Sequence, residues 1–433
     1  MQFIPLIPQN MFRKTTLSNG LRVVTKNLPS TQAVTVLVLT GAGSRYERKE
    51  INGISHFLEH MFFKGGVKYK NAKEVSEAID SIGGDFNAFT GKEYAGYYVK
   101  AAKESVDVAF DVLSDMMLHA KFPQEEIEKE RGVILEEYNM YQDTPMYQVG
   151  WEFERLLFGD QPLGWDEIGT KELIKSVNHD GFADYKKSLY TTDNIVIAVC
   201  GNIEHQDAIE KVEKFFPMDE SKKGHDYEPY KAGMDEGVAG VKEKKTEQAH
   251  LVCGFEGYSE THDDHWALRV LAVILGGNMS SRMFLNVREA HGLAYYIHTN
   301  TDNYMDTGVI STNAGVDTAR AELAVEKIVE QYALVAQEGV TEAELAKAKS
   351  FLRGKMTLKL EDSEEYAHLL AKYELLHDEP KTPEEILAAV DKVTVEDVKK
   401  VTDDLFKPDR LKLAIIGPYG EVERGKFEGL LKW

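Results

Sequence analysis

Three residues in a short apolar stretch have the types and spacing of a metal-dependent catalytic site. Residues 53–65 read GISHFLEHMFFKG and contain His56, Glu59 and His60. In a helix, residues four apart project from one face, so both imidazoles reach a single ion and Glu59 lies on the same side. The flanking side chains are mostly apolar, which predicts a helix buried on nearly all sides. Three buried titratable groups are costly, and a divalent metal would compensate them.

The competing interpretation is structural, with a hydrogen-bonded pair of core histidines and a salt-bridged glutamate. A lone histidine would favour it, whereas two histidines and a glutamate in one apolar helix favour a metal. Catalytic zinc usually has three protein ligands, so a third must come from another element. The best candidate is Glu137, which lies beside the apolar face of a predicted helix over 124–141. Glu130 lies two turns earlier on nearly the same line, although each glutamate alone is more typical of a surface charge.

Length and composition limit the class of protein. At 433 residues the chain exceeds what one hydrophobic core usually supports, so we expect two or more domains. The 72 acidic and 51 basic residues give a net charge of -21, which argues against nucleic acid as a partner. The acidic balance also favours basic ligands mildly, although plain solubility explains it equally well.

The number of cysteines and the length of the apolar runs indicate the cellular compartment of the protein. Only Cys200 and Cys253 occur, which argues against a thiolate zinc site or a disulfide scaffold and fits a reducing compartment. Residues 1–16 are too short and too interrupted by proline for a signal peptide, and no apolar run approaches a membrane span. We therefore expect a soluble, cytoplasmic protein without a membrane partner.

Strand and helix patterns occur twice in the same order. The clearest pair of matching segments is the strand IVIAVCG at 195–201 and the strand LKLAIIG at 411–417. We predict an α+β fold of two tandem homologous α/β domains, each a mostly antiparallel sheet packed with helices. Their predicted extents are 1–216 for the first domain, 217–240 for a polar linker and 241–433 for the second domain. The second copy has an apolar helix without the titratable triad at 266–275, so the architecture does not require His56, Glu59 and His60.

The His-x-x-Glu-His order, followed downstream by Glu130 and Glu137, resembles the pitrilysin/insulysin zinc metallopeptidases, which are inverzincins. Length and repeat are most similar to their short two-domain members, such as mitochondrial processing peptidase subunits and bacterial relatives. The resemblance covers essentially the whole chain. It implies that His56, His60 and Glu137 bind one zinc ion per chain, that Glu59 is the general base, and that Glu130 is a second carboxylate supporting the site.

Residues 84–90, GDFNAFT, are similar to the strand along which this family lays its substrate as an added β-strand. The alternative is an ordinary edge strand. The resemblance implies that Asn87, Ala88 and Phe89 bind substrate, with Asn87 and Ala88 near the scissile bond.

Residues 281–295 of the second copy look like the family's substrate-binding segment. By that likeness Arg288 and Tyr295 bind the substrate backbone and polarise the scissile carbonyl or stabilise its oxyanion. Without the resemblance, Arg288 reads as a solvated helix residue and Tyr295 as a strand residue.

The resemblance also implies an assembly in which each chain forms half of a clamshell. This chain carries both the zinc motif and the Arg288 and Tyr295 segment, so we expect a homodimer with two active sites completed in trans. The expected reaction is cleavage of unfolded or short extended peptides in a closed chamber. The alternative function is a non-catalytic structural or processing-complex subunit, which usually lacks part of the zinc motif. A purely structural metal is disfavoured because three protein ligands plus water form an open site.

Overall fold

The computed structural model of this protein describes residues 12–433. The expectation that residues 1–16 are not a signal peptide falls largely outside this range. Within residues 12–433, every helix is too short or too polar to cross a lipid bilayer.

Strands and helices follow one another along the whole described chain. The strands are β1 (Arg13–Thr16), β2 (Arg22–Asn27), β3 (Ala33–Thr40), β4 (Asp85–Thr90), β5 (Ala95–Ala102), β6 (Ile195–Gly201), β7 (Ala239–Glu243), β8 (Gln248–Gly257), β9 (Ala294–Asn303), β10 (Gly308–Asp317) and β11 (Lys412–Gly417). The α-helices are α1 (Ile54–Phe62), α2 (Ala72–Asp80), α3 (Val106–His119), α4 (Gln124–Asp143), α5 (Pro145–Phe158), α6 (Lys171–Ser176), α7 (His179–Leu189), α8 (His205–Phe215), α9 (His265–Gly276), α10 (Ala321–Glu338), α11 (Glu342–Lys359), α12 (Ser363–His377), α13 (Pro383–Lys392), α14 (Val395–Leu405) and α15 (Glu421–Leu430).

Two sheets with the same topology organise these elements. The first has the strand order β1-β2-β6-β3-β5-β4 and the second has the order β7-β11-β8-β10-β9. Each contains one parallel pair, β2 with β6 and β7 with β11, and the remaining pairs are antiparallel. Apart from β1, the two sheets therefore match strand by strand, as duplication of one unit predicts. The predicted fold class is confirmed.

The first compact unit holds the described residues up to Glu136 together with Asp166–Glu228 and Met356–Glu385. Its central strands β3 and β6 are rich in β-branched residues and are buried along almost their whole length, as expected for strands covered on both faces. Helix α12 covers one face with Ala367, Leu370 and Ala371, which pack against apolar residues of β2, β3 and β6.

The second compact unit holds Glu137–Trp165, Pro229–Lys355 and Ile386–Trp433. Helix α5 covers its sheet with Val149 and Phe153, which pack in one cluster with Val252 of β8, Val309 of β10 and Ala414 of β11. The covering helix of this unit thus precedes its strands in the sequence, whereas α12 follows the strands that it covers.

The sequence patterns missed several of these elements. Helices α5, α12 and α13 were not predicted, and β7 begins inside the predicted linker 217–240. The boundaries 1–216 and 241–433 describe the repeat along the sequence and stay a prediction, because the compact units are assembled from separate segments.

Candidate metal centre

Helix α1 carries the predicted histidines. Its apolar residues are buried, including Phe57 and Phe62, which pack edge-on against Phe182 and Tyr97 with ring centroids 5.0 and 5.1 Å apart. This packing fixes the orientation of the helix, because buried side chains that interdigitate tolerate little rotation.

The start of α1 is held by a residue that sequence reasoning missed. Gly53 precedes the helix with φ of 96°, and a Cβ there would lie 2.5 Å from the carbonyl oxygen of Ile168, so only glycine fits. The carboxylate of Glu47 accepts hydrogen bonds from the backbone N–H groups of Gly53 and Ser55, both at 2.8 Å. It also accepts one from Asn52 Nδ2 at 2.9 Å. Glu47 therefore satisfies donors that a helix N-terminus leaves unpaired, one residue before His56.

Burial raises the pKa of Glu47 to about 7, while its hydrogen bonds from Ser55, Gly53 and Asn52 act in the opposite direction. No signal in the sequence distinguished Glu47 from the other charged residues that precede α1.

The structure brings the three predicted metal ligands together. One ligand atom from each of His56, His60 and Glu137 lies within 4.8 Å of the other two. Both histidines project from α1, with ring centroids 4.8 Å apart, and Glu137 projects from α4. All three side chains are half-buried, and Tyr141 one turn along α4 donates a hydrogen bond to Glu137 Oε1 at 3.2 Å.

The chemistry of this donor set fits zinc. Burial, and secondly the neighbouring His60, lower the pKa of His56 to about 3, so its imidazole is neutral and has a lone pair to donate. Two histidines and one glutamate form the His₂Glu ligand set of catalytic zinc sites, which leaves a position open for water or substrate.

Glu130 contacts His60 and can therefore orient the ring of this predicted metal ligand. Its Oε1 is 2.8 Å from His60 Nδ1, and its Oε2 forms an ion pair with Lys64 Nζ. Burial alone raises the pKa of Glu130, but the hydrogen bonds from His60 and Lys64 outweigh that effect and the pKa is lowered. Since an ionised carboxylate only accepts, His60 donates from Nδ1 and keeps the Nε2 lone pair for a metal. Sequence reasoning named Glu130 but missed Lys64.

The predicted base, Glu59, is positioned by a third residue that was missed. The hydroxyl of Thr90, the last residue of β4, donates to Glu59 Oε2 at 2.5 Å. This contact joins α1 to the strand that the sequence proposed for substrate binding. Thr90 lies in the motif GDFNAFT, but its position at the end of that motif did not reveal the partner.

Strand β4 is the edge of the first sheet and pairs, among the described residues, with β5 alone. The Ala88 N–H donates to the Asn87 side chain at 2.9 Å instead of to β5. Phe86 packs on Phe63 beyond α1, with ring centroids 5.8 Å apart, so alternation places Ala88 on the same face as Phe86 and Thr90.

The other two residues predicted to bind substrate, Asn87 and Phe89, lie on the opposite face of β4. Asn87 is exposed, whereas the ring of Phe89 packs on His368 of α12 with centroids 5.0 Å apart. Their side chains therefore do not share the Glu59 side of the strand, although their backbone groups belong to the same edge.

Arg288 and Tyr295 lie in the second unit, where they line one cleft of about 590 Å³. Arg288 is in a π-helical turn, Phe284–Glu289, and its guanidinium carbon lies 4.7 Å from the centre of the Phe284 ring. Tyr295 is at the start of the edge strand β9 and is 75% exposed. A π-helical turn is rare and often marks a functional position. The interpretation of 281–295 as a substrate-binding segment stays a prediction, and the cleft is lined by the later part of that segment, from Arg288 to Tyr295.

Comparison with known families and proteins decides the classification. The family model described as Insulinase (Peptidase family M16) matches residues 22–164, and the model described as Peptidase M16 inactive domain matches residues 176–352. The chain belongs to peptidase family M16. The predicted family is thereby confirmed, and the first match contains all the residues of the candidate metal centre.

Two relatives in M16 are similar over nearly their whole length. An uncharacterized zinc protease of Bacillus subtilis, YmxG, is 39% identical over 95% of this chain and 100% of its own length. An uncharacterized zinc protease of Streptomyces coelicolor is 35% identical over 96% of this chain and 91% of its own length. Both relatives are thus named as zinc proteases, and these names imply zinc as their cofactor.

Solved structures share the fold. A protease from Helicobacter pylori has a TM-score of 0.86 with 24% identity and covers 94% of this chain and 100% of its own. A chain from the structure titled Complex III2 from Candida albicans has a TM-score of 0.83 with 18% identity and covers 97% of this chain and 100% of its own. The fold of this chain is therefore shared with a chain named a protease and with a chain of Complex III2.

Proposed function

We propose that this M16 chain is a zinc-dependent endopeptidase. The observation that carries the proposal is the convergence of His56, His60 and Glu137, whose ligand atoms lie within 4.8 Å of one another. Glu59, on the same helix as both histidines, supplies a carboxylate beside this cluster.

Each group has a distinct chemical task in this proposal. When bound, one zinc ion per chain supplies a Lewis acid that lowers the pKa of water and polarises the scissile carbonyl. The Glu59 carboxylate accepts a proton and returns it to the leaving amine, and the hydrogen bond from Thr90 holds it in place. Glu130 fixes the ring of His60 through Nδ1.

The substrate in this proposal is an unfolded or short extended peptide cleaved inside a closed chamber. The edge strand β4 supports it, because an extended peptide adds to an exposed sheet edge through main-chain hydrogen bonds. The N–H of Ala88 now donates to the side chain of Asn87, and in this proposal it donates to a substrate carbonyl instead. A folded protein lacks a free strand at the scissile bond and is therefore excluded.

We propose further that Arg288 and Tyr295 bind the substrate backbone and stabilise the oxyanion from a second copy of the chain. Tyr295 is highly exposed and shares one cleft with Arg288, which supports a role toward a partner or substrate. Mixed dimers of Glu59→Gln and Tyr295→Phe chains test this homodimer. Activity above that of either parent is expected, since one of the two sites would contain neither substitution. Mixed dimers no more active than the parents would disprove assembly in trans.

The second candidate is a non-catalytic subunit of the same fold. The likeness to a chain of complex III favours it at the level of fold alone. The intact metal cluster favours the enzyme instead. Zinc content and cleavage of a quenched peptide library, measured with Glu59→Gln, distinguish the two candidates. We expect Glu59→Gln to retain zinc and lose cleavage, while Glu136→Gln, an exposed neighbour on α4, retains both. Zinc binding without cleavage by the unsubstituted protein would favour the non-catalytic subunit.

The compartment and the substrate charge complete the proposal. Cys200 and Cys253 are free buried thiols, which supports a reducing, cytoplasmic location. The net charge of -21 supports a preference for basic peptides. Matched acidic and basic peptides compared at two salt concentrations test that preference, and equal rates would refute it.

A further inference from the structure

The first unit contains a cavity that the peptidase site does not use. Its volume is about 490 Å³, within the range of small-molecule sites. Apolar side chains from several elements line it, including Val38 of β3, Met117 of α3, Ile195 of β6 and Phe216 after α8. These residues are buried, except that the cavity opens beside α7.

Besides the exposed Lys187, the cavity is lined by Lys186 of α7, which is half-buried. Its Nζ donates to the carbonyl of Leu118 at 3.1 Å, which uses one of its three donors. Among the described residues, no carboxylate lies within ion-pair distance of Lys186. Burial lowers the pKa of Lys186 to about 8, and no neighbouring charge acts to raise it. Asp219, the acidic residue in the lining, is exposed at the rim.

The cavity wall also contains a strained residue. Phe122 has φ of 47°, in the left-handed region that bulky side chains rarely adopt, and its side chain is buried. Its ring lies 5.6 Å from that of Phe182 and 6.0 Å from that of Phe62, between ring centroids. Strained backbone of this kind clusters at ligand-binding positions, where the surrounding packing maintains it.

We propose that this cavity binds a small carboxylate with an aliphatic chain. The carboxylate pairs with Lys186, which has no acidic partner among residues 12–433, and the aliphatic chain lies against Val38, Met117 and Phe216. A cationic ligand would meet Lys186 with like charge, and a wholly polar one would leave the apolar wall unused. This site is separate from the proposed peptidase chemistry and does not depend on it.

Calorimetric titration of the full chain with octanoate tests the proposal, with octan-1-ol as the probe of equal chain length without charge. Octanoate is expected to bind saturably and more tightly than octan-1-ol. Lys186→Met, which removes the ammonium group and keeps most of the apolar length of the side chain, is expected to weaken octanoate binding about 10- to 100-fold, as for loss of a charge-assisted hydrogen bond. Lys187→Met is the matched control, since Lys187 also lines the cavity but is exposed. It is expected to change the affinity less than about twofold.

A second variant keeps the test decisive if Lys186→Met fails to fold. Ala183→Leu leaves the ammonium in place but fills part of the cavity, and it is expected to abolish octanoate binding with an unchanged circular dichroism spectrum. Absence of saturable octanoate binding to the unsubstituted protein, equal affinity for octan-1-ol, or greater loss in Lys187→Met than in Lys186→Met would each overturn the proposal. Glu59→Gln should bind octanoate normally, which separates this outcome from failure of the peptidase proposal.

Discussion

Replacing Glu130 by glutamine tests whether the metal centre depends on the hydrogen bond to His60. In the structure, Glu130 Oε1 is 2.8 Å from His60 Nδ1 and Oε2 pairs with Lys64. Glutamine has nearly the same shape but only one acceptor oxygen. If that oxygen faces His60, the amide N–H groups face the ammonium of Lys64. If the amide is reversed, its N–H faces Nδ1 and favours the tautomer in which Nε2 carries the proton.

Both arrangements weaken metal binding. In the second, the nitrogen that should donate its lone pair is protonated, so binding requires a further tautomer change. Loss of such a supporting contact typically lowers metal affinity about 10- to 100-fold. That loss corresponds to about 1.4–2.8 kcal/mol of binding free energy.

The assay is zinc competition against a chromophoric chelator at neutral pH, with circular dichroism to verify folding. Glu136→Gln is the matched control, because Glu136 is an exposed glutamate of the same helix. We expect its zinc dissociation constant to equal that of the unsubstituted protein. If Glu130→Gln also binds zinc within about twofold of that value, Glu130 does not orient His60 and the assignment is wrong.

Three further predictions concern the residues around α1. Since the folded-state pKa of Glu47 is raised from 4.5 to about 7, the stability linked to this group should fall as the pH rises through that window. Between about pH 5 and about pH 8, the urea unfolding midpoint should therefore fall more in the unsubstituted protein than in Glu47→Gln. Equal falls in the two proteins would contradict the assignment. Thr90→Val removes the hydrogen bond to Glu59 and should lower kcat about tenfold at unchanged zinc content, measured with a quenched peptide; an unchanged kcat would show that Thr90 does not position the base. Removing zinc with a chelator should lower the melting temperature. The corresponding loss of stability is up to about 4 kcal/mol if zinc was present at a thousandfold excess over its Kd. The melting temperature of His56→Ala should not change on addition of the chelator.

Much of the candidate site was predictable because its parts are local in the sequence. The four-residue spacing of His56 and His60 requires only a helix, and the apolar residues around them indicated that helix. Glu137 and Glu130 followed from helical spacing along α4 and from the resemblance to a family. The repeated pattern of strands likewise predicted two sheets of one kind, and apart from β1 both sheets have the same strand order.

The residues that were missed act through contacts that have no regular spacing in the sequence. Glu47 contacts the start of α1 from a preceding loop, and Thr90 reaches Glu59 across 31 positions. Each is a common residue type without spacing of its own, so only packing reveals its partner. Helices α5 and α12 were also missed, and periodicity does not show which sheet each helix covers.

The sequence by itself determined the family and the duplicated α/β pattern and predicted a metal-binding chemistry, because these depend on residue type and local spacing. Only the tertiary structure decided that Glu137 lies beside His56 and His60 and that Glu130 contacts the ring of His60. It also decided that Glu47 holds the start of α1 and that Thr90 holds Glu59. The physical reason is that hydrogen bonds and ligand clusters require distances of a few ångströms between groups far apart in the chain. Folding alone sets those distances.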